Sequence, residues 1–182
     1  FVHYTIGKGV GGGALQEGRF IEGFSHPEMG HMLVVPHPKD DFAGSCPFHG
    51  NCLEGMAAGP AIEKRLGKKG QEVAEDDPYW EIEASYIAQC AYNTTLMFSP
   101  DVIIFGGGVM KQRHMLQNVH DAFAKLVNGY VETPELSKYI VTPALEDNAG
   151  TLGCLELARE AVLHKKKKKG SSTFSVGRER YN

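Results

Sequence analysis

No stretch of this sequence holds about 18 consecutive apolar residues, so no helix is expected to cross a bilayer. It lacks an opening methionine and a charged-then-apolar secretory segment. It starts at Phe1 inside "FVHYTIG", which reads as a strand, and the expectation is therefore a part of a longer chain. It also lacks a disulfide scaffold. Of four cysteines in 182 residues, Cys46 and Cys52 lie close together, whereas Cys90 and Cys154 sit far apart within helical patterns. The last two are read as small buried hydrophobes, and the usage fits a reducing cytoplasm. Basic charge is scarce in the body. The net charge is −3, but setting aside the seven basic residues and one acid from Lys165 onward leaves 12 basic against 21 acidic residues, a body at −9. That balance argues against a nucleic-acid surface there.

What is present divides into two stretches. Residues 1–163 carry globular patterning, with 42% hydrophobic residues overall. Residues 164–182 form a basic, Gly/Ser-containing tail without apolar periodicity, expected to be disordered or non-native. In the first stretch, "FVHYTI", "GKGVGGG" and "ALQEGRFIEG" read as strand, glycine turn, strand. "HMLVVPHP" reads as a short strand stopped by prolines. "LEGMAAGPAIEKRLGKKG" reads as a short or broken helix. "DDPYWEIEASYIAQCAYNTTLMFSP" reads as a strong helix, with Asp77 capping, Pro78 in the first turn and Pro100 ending it. Trp80, Ala84, Ile87, Ala88, Ala91 and Thr95 share one side. "DVIIFGGGV" is a buried strand entering a glycine turn. The following helix has Met115, Val119, Ala122, Phe123 and Leu126 on its apolar face. "KYIVTPAL" is a strand and "EDNAGTLGCLELAREAVLHK" a last helix. Strand, helix, strand, helix after position 100 predicts a layered α/β domain.

One loop carries metal chemistry. Cys46, His49 and Cys52 are spaced three residues apart, and His31 lies upstream. Zinc favours sulfur and imidazole nitrogen in tetrahedral sets of four. Cys46 and Cys52 with His49 can wrap one ion, and His31 would close the set. Four protein ligands leave no open position, so the site is read as structural, with metal binding helping to fold the loop. The same letters also fit a loop with incidental His and Cys. If the four do share an ion, Glu28 and Glu54 are drawn to the same corner, where carboxylates can accept hydrogen bonds from a polyhydroxyl ligand. The alternative for each is a solvated surface position.

Two glycine clusters could approach phosphates. Gly7, Gly9, Gly11, Gly12 and Gly13 follow a strand, and glycine lets main-chain N–H groups come close to an anion. A tight hairpin without a ligand explains the same letters. The cluster does not end in Lys-Ser/Thr, so it is not a Walker A loop. A strand rather than a helix follows, which disfavours the dinucleotide fingerprint. Gly106, Gly107 and Gly108 end a strand before a helix, where α/β sheets bind ligands or simply turn.

Taken in order, "TIGKGVGGGA", "SHPEMGH", "CPFHGNCLEGMAAGPAI", "IIFGGGVM" and "EDNAGTLGCLELA" resemble the ROK sugar kinases over residues 1–163, most closely their fructokinase branch. The Cys-Pro-x-His-x-x-Cys form of the metal loop resembles that branch. The resemblance implies an α/β, actin-like (ribonuclease H-like) sugar-kinase lobe with a zinc loop over residues 31–52. It implies ATP with magnesium in a cleft, and a hexose, best D-fructose, whose 6-hydroxyl attacks the γ-phosphate. Carried over by position, Gly7, Gly9, Gly11, Gly12 and Gly13 would form the second phosphate loop, and Gly106, Gly107 and Gly108 the nucleotide turn. Glu28, His31 and Glu54 would contact sugar. His31, Cys46, His49 and Cys52 would bind zinc, so that His31 serves both walls.

The family's first phosphate loop and catalytic aspartate lie upstream of the strand matching "FVHYTIG". No general base is therefore assigned; Asp40, Asp41 and Asp101 sit outside that motif. These residues alone are expected to be inactive, cytoplasmic and able to form a homodimer. The competing readings are a sugar-sensing ROK transcriptional repressor and a zinc-stabilised structural module without a ligand.

Overall fold

The computed structural model describes residues 1–21 and 23–171. They fall into two compact units, Phe1–Pro143 and Ala144–Asn182. The first is built on a five-stranded mixed sheet of β1 (Val2–Ile6), β2 (Val10–Gln16), β3 (Arg19–Phe20), β4 (Ile103–Gly106) and β5 (Ile140–Val141), in the order β3-β2-β1-β4-β5. β1 pairs antiparallel with β2 and parallel with β4, and β4 pairs parallel with β5.

Alternation in β1 buries Val2, Tyr4 and Ile6 on one face of the sheet. Tyr4 stacks on Phe105 of β4 with ring centroids 5.4 Å apart, and its hydroxyl meets Thr94 Oγ1 at 2.7 Å. Thr94 belongs to α3 (Tyr79–Phe98), which packs on the same core with α4 (Met115–Val127). As expected, the Asp77 carboxylate accepts from the Tyr79 N–H at 3.0 Å and starts α3, while Ser99, with φ of 42°, ends it. Every residue expected on the inner side of α3 is buried. On α4 the expectation needs one correction. Met115, Val119 and Phe123 are buried, but the stripe continues to Val127, and Leu126 is 40% exposed. By spacing Leu126 shares this side, three residues after Phe123, but in the last turn of α4 it lines an open groove instead of the core.

The broken helix is α1 (Leu53–Ala57) and α2 (Gly59–Leu66), separated where Ala58 turns extended at ψ of 155° just before Gly59-Pro60. "HMLVVPHP" forms no strand; it makes a single bridge, Leu33 to Cys52, because Pro36 and Pro38 cannot donate to a ladder. β5 is only two residues long and is preceded by α5 (Leu136–Tyr139). Tyr139 reaches α3 instead, its hydroxyl 2.8 Å from Thr95 Oγ1.

The second unit is α6 (Ala149–Ser171) with a preceding turn at Glu146–Asn148. Its backbone stays helical through the lysine run, since lysine is a good helix former, so residues 164–171 continue a helix where an irregular tail is expected. Residues 172–182, the rest of that tail, lie outside the described residues. Cys90 is buried as expected, whereas Cys154 is exposed on α6. Among the described residues no helix is long and apolar enough to cross a membrane.

Candidate active site and metal centre

His31, Cys46, His49 and Cys52 come together as the spacing predicts: one ligand atom from each lies within 4.8 Å of all the others. His31 Nδ1 is 3.8 Å from Cys46 Sγ and 3.5 Å from Cys52 Sγ, and His49 Nδ1 is 3.7 Å from Cys46 Sγ. A zinc tetrahedron with Zn–S near 2.3 Å and Zn–N near 2.0–2.1 Å has S–N edges of about 3.6 Å. The cluster therefore fits a structural metal. Gly44, at φ of 93°, is needed for this shape, because a Cβ there would sit 2.0 Å from the Gly50 oxygen. Burial pushes the Cys46 thiol up, but N–H groups of His49 and Phe48, with the Cys52 and His49 side chains, outweigh it and bring it down to about 6. Burial raises the Cys52 thiol.

Cys52 is also the N-cap of α1, its sulfur accepting from the Gly55 N–H at 3.4 Å. That places Glu54 in the first helical turn. Its Oε1 lies 3.8 Å from His31 Nε2, and its Oε2 accepts from the Val10 N–H at 2.9 Å. The imidazole of His31 thus turns one nitrogen to the sulfurs and the other to a carboxylate. Glu28 differs: its carboxylate is exposed and pairs with His26 at 2.8 Å.

The glycines divide by role. Only Gly7 and Gly9 form the hairpin turn, with the Gly7 N–H donating to the Gly9 oxygen at 2.9 Å. Gly11, Gly12 and Gly13 lie inside β2, opposite Thr5, Tyr4 and His3, instead of in a turn. Gly12 is required by packing, since a Cβ there would sit 2.8 Å from the Tyr4 ring. Gly106 closes β4, Gly107 turns the chain, and Gly108 opens the turn Val109–Lys111.

Parallel pairing of β1 with β4, in register Thr5 to Gly106, puts the Gly7 and Gly108 turns at the same, carboxyl end of these two strands. A cavity of about 600 Å³ lies there, lined by Gly7, Lys8, Gly59, Lys69, Trp80 and Gly108 among others. Lys8, between the two hairpin glycines, lines this cavity and was not expected there, because its residue type alone does not distinguish it from a surface lysine. A larger groove of about 790 Å³ between residues 33–38, α3 and α4 includes none of the expected site residues.

A second polar cluster anchors the metal loop and was not anticipated. Asp40 takes Arg65 through both oxygens, at 3.0 and 3.2 Å, and both side chains are nearly buried. Arg65 also donates to the Tyr79 hydroxyl at 2.9 Å and the Met56 oxygen at 3.1 Å. Tyr86 donates to Asp40 at 2.6 Å, and Tyr79 to Glu83 at 2.5 Å. Asp40 is a structural anchor.

Residues 1–161 match the ROK family model. The chain belongs to the ROK family. It is 49% identical over 163 residues to a fructokinase of Streptococcus mutans, a match covering 87% of this chain and 56% of that one. The ROK member therefore spans about half the length of the curated relative it matches. Among solved structures, a ROK hexokinase from Thermus thermophilus superposes with a TM-score of 0.70 at 24% identity, over 84% of this chain and 54% of that one. A ROK family glucokinase from Streptomyces griseus, solved with glucose and AMPPNP, superposes with a TM-score of 0.66 at 22% identity, over 87% and 60% respectively. The fold is thus the mixed α/β, actin-like fold of ROK sugar kinases.

Proposed function

We propose that this ROK chain is the glycine-hairpin and metal-loop part of an ATP-dependent hexose kinase that converts D-fructose to fructose 6-phosphate. The observation that carries the reading is the shared strand end: the Gly7–Gly9 hairpin and the Gly108 turn face one cavity, and Glu54 links that hairpin to His31. The 49% identity to a fructokinase favours this sugar and favours a kinase over a sugar-sensing regulator.

In the reaction the fructose O6 attacks the γ-phosphorus, the bond from that phosphorus to ADP breaks, and magnesium travels with the nucleotide. Catalysis of this kind is mostly positioning and charge stabilisation. The main-chain N–H groups of Lys8 and Gly9, with the Lys8 ammonium, would hold phosphate oxygens. Gly108, with open space where a Cβ would stand, admits the nucleotide. Glu54 and the outer nitrogen of His31 would hold sugar hydroxyls, with Glu28 at the rim. His31, Cys46, His49 and Cys52 would hold zinc, which when bound fixes the imidazole as a rigid wall. No general base is assigned within the chain, so the hydroxyl proton leaves to a group of the whole enzyme. Pairing of two such chains in the whole enzyme is part of the same reading.

Calorimetric titration of the zinc-loaded chain with AMPPNP and magnesium tests the nucleotide cavity. Binding in about the millimolar range, weakened at least fivefold by Lys8→Ala, is expected. No heat at 10-fold higher concentration would overturn the cavity's assignment. In a coupled assay the chain alone is expected to leave fructose unphosphorylated.

A further inference from the structure

The glycine hairpin is held from below at two points, both on the short stretch that begins at a metal ligand. The Gly59 N–H donates to the Gly7 oxygen at 2.7 Å, and Glu54 Oε2 accepts from the Val10 N–H at 2.9 Å. The carboxylate also fills the space beside Gly9, where a Cβ would stand 2.7 Å from Oε2. Glu54 in turn is placed by α1, whose first turn is capped by the sulfur of Cys52. Its other oxygen faces His31, a second member of the cluster. From the Cys52 sulfur to the hairpin amide the path is one helical turn and one side chain. The joints on that path are hydrogen bonds, from the Gly55 N–H to the sulfur at 3.4 Å and from the Val10 N–H to the carboxylate at 2.9 Å, whereas the His31–Glu54 approach at 3.8 Å is a longer electrostatic contact.

We infer that Glu54 is a positioning residue that couples metal occupancy to the order of the glycine hairpin, so that the metal centre sets the main-chain N–H groups at Gly9 and Val10. The coupling rests on the metal reading proposed above. It does not require that the metal, the sugar and the nucleotide share a single contact. An ion that orders His31 and the Cys52 turn fixes both ends of the Glu54 carboxylate. Without the ion the cap and the imidazole relax, and the hairpin loses its Val10 anchor before the sheet behind it is disturbed. Gly9 fits this role: any side chain would expel the carboxylate.

Amide hydrogen exchange on the 182-residue chain tests this, with zinc content measured on the same samples. The probe is zinc alone, added stoichiometrically or removed with a chelator. In wild type, zinc removal is expected to speed exchange at Val10 about tenfold, the scale of one lost hydrogen bond, while Phe105 in β4 changes less than twofold. Glu54→Ala should exchange fast at Val10 with or without zinc. Glu54→Gln, which keeps an acceptor oxygen, should restore most of the protection. Failure to bind zinc at all overturns the metal reading itself. Stoichiometric zinc with Val10 exchange unchanged by its removal overturns the coupling and leaves the metal reading standing. Equal loss of protection at Val10 and Phe105 also overturns it, because the effect would then be general unfolding.

Discussion

At the scale of single residues, the Asp40–Arg65 pair carries the sharpest energetic expectation. Both side chains are nearly out of solvent, and each satisfies the other. Removing one partner leaves a buried charge without compensation, which costs about 3–5 kcal/mol. Arg65→Ala should therefore lower unfolding stability by about that amount in urea titrations, and should loosen the metal loop that Asp40 pins. Glu83 gives a pH prediction. Burial holds its carboxyl up to about 8, the Tyr79 hydroxyl bond pulling the other way without winning. Its Oε1 has no hydrogen-bond partner among the described residues. In the unfolded chain the same group ionises near the ordinary value of about 4.3. Between these values the folded state holds a proton that the unfolded state has released, so stability falls as pH rises. The contribution is complete at the acid end and is gone once pH passes through about 8. Glu83→Gln, which cannot ionise, should flatten the decline of the urea midpoint from pH 5 to pH 8; an unchanged slope would show that Glu83 is ionised throughout.

At the scale of elements, α4 separates packing from mere hydrophobicity. Phe123 is buried, and Phe123→Ala should cost about 3–5 kcal/mol. Leu126 is 40% exposed, and Leu126→Ala should cost under about 1 kcal/mol. Denaturation of the two variants side by side checks the assignment of the inner face. Much at this scale was legible in the sequence. The 3.6-residue period and the Asp77-Pro78 start mark α3, and Gly59-Pro60 marks the break between α1 and α2. Other parts were not legible. Glycine in "GVGGG" reads as turn because its strand role depends on a neighbour, the Tyr4 ring, that lies on another strand. The clustering of His31, Cys46, His49 and Cys52 was legible because all four side chains are chemically distinctive. The Asp40–Arg65 anchor was not, because a buried ion pair joins residues 25 apart whose letters look like surface. Gly55 offers an element-scale test of the metal loop. A Cβ there would stand 1.9 Å from the Gly50 oxygen, so Gly55→Ala should release bound zinc, read by elemental analysis against wild type.

At the scale of the whole molecule, the exposed side chains Leu152, Leu155, Leu157, Val162 and Leu163 of α6 are a large apolar surface for one helix. Surfaces of that kind drive association. Sedimentation of the chain should show species heavier than its 19.9 kDa monomer, and Leu155→Glu with Leu163→Glu should shift them back toward it. The parallel ladder between β1 and β4 has a different consequence. The position of the cavity between the Gly7 and Gly108 turns is fixed by backbone bonding deep in the sheet, with the lining side chains only dressing its rim. Substituting those rim residues should therefore change what the cavity admits without moving the cavity itself.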